Sequence, residues 1–154
     1  MAIGQLPRLD EHSVGIAASA EHVWDATLAS LDATFADRGA ATFARLLGCE
    51  PVTRAGWDAP TVGSSLPGFS VVTADRPQLL VVSGRHRFAR YGITFRIGAA
   101  PAGTRLAAES RAGFAGALGA LYGLAVVGSA GHAIAVHRLL RSVRQLAEQQ
   151  GAGG

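Results

Sequence analysis

Between Ala112 and Val136 the chain runs for 25 consecutive residues without an Asp, Glu, Lys or Arg, and any fold must find a place for that stretch. Its length meets the criterion for a membrane span, and Arg138, Arg141 and Arg144 beyond it resemble a positive-inside flank. Fourteen of the 25 residues are Ala or Gly, however, and His132 lies among them, so transfer into lipid is weakly driven. The stretch is expected to form a helix buried in the protein or against a partner.

A chain of 154 residues suits one domain with a real core. With 49% hydrophobic and 16% charged residues it is neither disordered nor a solvated linker. All 14 basic side chains are Arg; Lys and Asn are absent, while Ala (30) and Gly (20) abound. That is the imprint of GC-rich codons, so the pI of about 10.0 says little about partners. Met1 to Arg8 has no basic start followed by an apolar run, so no secretory signal is expected. Cys49 stands alone and forms no internal disulfide. A cytoplasmic protein is expected, with a tail over 1–9, one domain over 10–149 and a disordered tail over 150–154.

Residues Glu11 to Ala17 alternate around Val14 and Ile16 as a first strand. Ser19 offers an N-cap to a helix through Val23, Trp24, Leu28 and Leu31. Ala40 to Leu47 predicts a second short helix closed by Gly48. Strands follow: Val52 to Trp57, Phe69 to Asp75, and Leu79 to Ile97, which is too long for one strand and must turn near Arg87 to Ala89. Ala100 to Gly103 is a hairpin connection, and the strand after it turns Leu106, Ala108, Ser110, Ala112 and Phe114 inward. Gly116 to Gln149 predicts one long helix, the only element long enough to cover the apolar face of such a sheet. The expected fold is α+β: six or seven antiparallel strands curved around the C-terminal helix, with two short helices after the first strand.

The opening His12-Ser13-Val14-Gly15-Ile16-Ala17-Ala18-Ser19-Ala20-Glu21-His22-Val23-Trp24 resembles the start of START-like, Bet v 1-like domains, the SRPBCC or polyketide cyclase-like superfamily. Pro77 to Gly84 and Gly103 to Leu106 are similar to its middle hairpins, and the final helix matches as well. The resemblance covers residues 10 to 148. It implies a helix-grip fold with an internal apolar cavity, as in lipid carriers and polyketide cyclases or aromatases.

On a helical wheel Leu118, Leu121, Tyr122, Ser129, His132 and Val136 share the face toward the sheet. Strand parity places His86, Tyr91, Phe95 and Ser110 inside, and Trp24 is expected beside them. These residues are the expected cavity lining, a few polar groups in an apolar pocket that would orient a ligand. A packed core His or Tyr with one hydrogen bond is the competing reading. Neither catalytic residue nor cofactor is assigned. His132 and His137 lie about 140° apart on a helix and cannot share a metal. Gly63 to Gly68 has phosphate-loop spacing but Phe69-Ser70 follows it. Ser110 with His132 or His86 suggests a nucleophile and base, yet a hydrolase would need Asp10 or Asp25 to reach them, and nothing in the sequence places either there. The outward arginines lack interleaved aromatics, so no nucleic acid is expected.

The opposite helix face carries Gly119, Gly123 and Val127 where charge is usual. Glycine inside a helix costs about 1 kcal/mol relative to alanine, so a compensating contact is expected. A homodimer through this face is the first choice, with a lipid surface or an intramolecular loop as rivals. Three functions remain open: a carrier of a small hydrophobic or aromatic, lipid-like molecule, a polyketide cyclase-like enzyme using the same pocket, or a non-catalytic dimeric module with a filled core.

Overall fold

A computed structural model describes residues 2–35, 38–128 and 130–153. In chain order the elements are β1 (Arg8–Ile16), α1 (Ala20–Phe35), α2 (Arg38–Leu47), β2 (Ser65–Leu66), β3 (Phe69–Asp75), β4 (Leu79–His86), β5 (Ala89–Ala100), β6 (Gly103–Phe114), α3 (Gly116–Val127) and α4 (Gly131–Ala152). The strands form one antiparallel sheet in the order β1-β6-β5-β4-β3-β2, curved and unclosed. The turn within 79–97 falls between His86 and Ala89, at the place the strand length demands.

Alternation along the strands decides which side chains meet the helices. In β6 Leu106, Ala108, Ser110 and Ala112 are buried, while Arg105 and Arg111 face out and Arg111 clamps Glu109 at 2.6 Å. Ser19 caps α1, its hydroxyl accepting the His22 N–H at 3.2 Å. The helix then buries Val23, Trp24, Thr27, Leu28 and Leu31, a stripe at helical spacing. In α4 the same spacing buries Val136, Leu139, Leu140, Val143 and Ala147. The two helices pack together over the sheet, and each fully buried Leu or Val in this seam contributes about 1.5–3 kcal/mol.

Four sequence expectations change. The long C-terminal helix is two helices: Gly128 ends α3, and Ala130 takes a left-handed φ of 60° before α4 begins. Gly128 to Gly131 contains two glycines, and helix propensity there is too low to hold one rod. The cover of the sheet is accordingly shared between α1 and α4. Val52 to Trp57 forms no strand; only Ala55 bridges to Ser65, and Trp57 is instead buried, donating its indole N–H to the Leu28 carbonyl at 3.1 Å. Both presumed tails are built in. Leu6 is buried, Ile3 to Gln5 form a 3-10 turn, Arg111 donates to the Leu6 carbonyl at 2.9 Å, and α4 continues to Ala152.

α3 is also rotated relative to the expected wheel. Its Gly119 and Gly123 face the chain itself: a Cβ on Gly119 would stand 2.9 Å from the Phe88 carbonyl oxygen, and one on Gly123 3.0 Å from the Phe114 ring. The two glycines are buried in this close packing within the chain. Leu118 and Leu121, expected inward, are exposed. Ser129 and the Val127 side chain lie outside the described residues.

Candidate ligand site on the concave face

Strand register stacks inward side chains in rows across the sheet. Asp10 pairs with Ser110, Ser110 with Ile93, and Ile93 with Val82. The next inward row is Ala112, Tyr91 and Gly84, and the row beyond is Phe114, Ala89 and His86. Two residues along a strand cover about 6.8 Å, so a polar row stands directly beside an aromatic end.

The polar row carries Asp10 Oδ1, Ser110 Oγ and His132 Nε2, which are buried atoms with no hydrogen-bond partner among the described residues. His132 sits in the first turn of α4, and its Nε2 lies 3.4 Å from Asp10 Oδ1, within ion-pair range but outside hydrogen-bond geometry. The other carboxylate oxygen of Asp10 is 3.2 Å from His12 Nε2, and the His12 ring stacks obliquely on His137 at 4.2 Å. Ser110 is 1% exposed, and an unpaired buried hydroxyl costs about 1–3 kcal/mol. Ser110 and His132 both neighbour Asp10, and buried polar atoms of this kind call for a partner, whether water or a ligand.

The aromatic end is built from His86, Phe88, Tyr91 and Tyr122. Tyr122 of α3 lies edge-on to His86 at 4.9 Å and stacks on Phe88 at 5.9 Å. Tyr91 continues the array to Phe69 at 5.2 Å. Gly84 lets this end close, because a Cβ there would collide with the Gly68 carbonyl, whose oxygen accepts the Tyr91 hydroxyl at 2.8 Å. Burial pushes the Tyr91 and Tyr122 phenols and the Cys49 thiol up and the His86 imidazole down, so this end is uncharged at neutral pH.

No family model and no curated protein matches the sequence. Solved structures do. Protein CV1439 from Chromobacterium violaceum is similar at TM-score 0.58 and 14% identity, covering 92% of this chain and 99% of its own. Protein MLL2253 from Mesorhizobium loti is similar at TM-score 0.55 and 14% identity, covering 91% and 96%. The Polyketide_cyc-like protein Cgl2372 from Corynebacterium glutamicum gives TM-score 0.46 at 14% identity over 94% of each chain. The sheet order, the helices after β1 and the C-terminal helix decide the architecture. The chain has a helix-grip fold.

Within this helix-grip fold the proposed lining residues separate into two groups. Ser110 and His132 both neighbour Asp10 in the polar row, and His86, Tyr91 and Tyr122 meet in the aromatic end. Phe95 and Trp24 are 0% and 2% exposed and belong to the packed core that fills the space between sheet and helices. Two open depressions, of about 720 and 620 Å³, mark the surface: one between Ser19, Gln78 and Gly103, the other between Glu50, Ser70 and Arg85, reaching Gly84 and Tyr91 of the aromatic end. The sequence reading began the first strand at Glu11, which left Asp10 outside it, and did not assign His12 to the inward face. The alternation Asp10, His12, Val14, Ile16 was the available signal. Among the described residues no group of three His, Cys, Asp or Glu is arranged to hold a metal.

Proposed function

We propose that the protein binds a small molecule with an uncharged aromatic or apolar body and one hydrogen-bond-donating group. The observation that carries this reading is that Asp10 Oδ1, Ser110 Oγ and His132 Nε2, all buried and without a hydrogen bond among the described residues, lie in the rows beside the aromatic wall. Asp10 accepts, Ser110 both donates and accepts, and His132 does either according to its tautomer. A hydroxyl, amide or amine on the ligand would satisfy them, whereas a carboxylate would meet Asp10 with like charge. The rings of Tyr91, Tyr122 and Phe88 suit the body of such a ligand. Entry requires α3 to move, since Tyr122 closes the aromatic end.

Titration with 2-naphthol followed by NMR tests this reading. Shifts at Ser110, Tyr91 and Tyr122, with naphthalene binding about tenfold more weakly, are expected. Absence of shifts, or binding unchanged in Ser110→Ala and His132→Ala, refutes it. A serine hydrolase is disfavoured even though Asp10 does reach the site. His132 Nε2 is directed at Asp10, and Ser110 Oγ has no hydrogen-bonded base.

A further inference from the structure

No helix of the described residues is long and apolar enough to cross a membrane, yet one end of the molecule displays large apolar side chains to solvent. Phe43 and Leu46 of α2, and Leu118, Leu121 and Leu124 of α3, are between 62% and 75% exposed. The β4–β5 turn joins the two helices: the Arg87 N–H donates to the Leu47 carbonyl at 3.3 Å, and the Ala115 N–H donates to the Phe88 carbonyl at 3.2 Å. The exposed residues therefore flank one joint, at the end of the sheet where α3 packs on Phe114.

Charge decides what fits this face. Neither α2 nor α3 contains an Asp or Glu, and no carboxylate occurs anywhere from Ser110 to Ala147. Arg45 on α2 and Arg87 in the joint are exposed and belong to no ion pair with the described residues. The carboxylate at this joint, Glu50, is already engaged by Arg85, so a two-fold contact between copies would bring Arg45 and Arg87 toward their own counterparts. We propose that this face docks on an anionic lipid surface, with α2 and α3 lying in the interface plane and Arg45 and Arg87 on the headgroups. At 12 residues α3 is about 18 Å long, too short to span and suited to lying flat. This inference stands apart from the ligand reading and uses none of the buried polar atoms.

Cosedimentation with vesicles of phosphatidylcholine and phosphatidylglycerol in equal parts, against phosphatidylcholine alone, tests it. Binding to the mixed vesicles should be about tenfold stronger and fall as salt rises. It should drop about tenfold in Leu121→Asp/Leu124→Asp and in Arg45→Glu/Arg87→Glu, with melting temperatures checked on the same samples. The arginine pair keeps the test decisive if the leucine pair alters folding. Equal binding to both vesicles, no binding, or unchanged binding in a folded arginine variant overturns the proposal. So does a dimer in sedimentation that Leu121→Asp dissociates, which would assign the face to a second copy.

Discussion

His132 Nε2 stands 3.4 Å from Asp10 Oδ1, joining the first turn of α4 to the edge strand β1. Both side chains are about one-fifth exposed, so water weakens the attraction without abolishing it. A double-mutant cycle with Asp10→Ala and His132→Ala should give a coupling of about 0.5 kcal/mol in urea unfolding. A coupling of zero would mean that the two groups are held near each other by packing alone.

Ser110→Ala removes a buried hydroxyl that has no hydrogen-bond partner among the described residues. The free protein should be unchanged or more stable by about 1 kcal/mol, while 2-naphthol should bind more weakly. Opposite movement of stability and affinity is the signature of a group kept for a ligand. Loss of both would mark Ser110 as an ordinary core residue.

Ala130 holds a left-handed φ of 60° between α3 and α4. That conformation costs an L-residue about 1–2 kcal/mol and a glycine little. Ala130→Gly should therefore raise the thermal midpoint slightly. In an unbroken helix the same change would cost about 1 kcal/mol, so the sign of the shift tests the break.

His86 is held below the ordinary imidazole value by burial. The unfolded chain then takes up its proton at higher pH than the folded one, and stability is complete above the unfolded value of 6.5. It declines as pH falls through 6.5 toward the folded value and levels off below that. His86→Phe should flatten this decline on the acid side of 6.5. Urea midpoints across that window measure it, and an identical decline in the variant would place its origin elsewhere.

Much of the fold was legible because strand parity and helix periodicity act over short distances. Leu106, Ala108 and Ser110 face the core as their spacing requires, and the turn at Arg87 follows from strand length alone. The site was half legible. Ser110 and His132 emerged from periodicity, but Asp10 meets Ser110 only through the pairing of β1 with β6, a contact across about two-thirds of the chain that no local pattern encodes. The orientation of α3 was missed for a related reason. A sequence of Ala, Gly and Leu with apolar residues all round gives no preferred face, and the choice fell to the fit of Gly119 and Gly123 against Phe88 and Phe114.

The break at Ala130 also divides the C-terminal third energetically. α4 is anchored by five buried side chains, whereas the buried residues among the described ones in α3 are Gly119 and Gly123, which bring no side chain to the interface. Among the described residues the side chain that ties α3 down is Tyr122, through its ring contacts to His86, Phe88 and Phe114, and the amides of α3 should exchange with solvent through a local opening below the cost of global unfolding. The last third of the chain should thus open in two steps, α3 before α4.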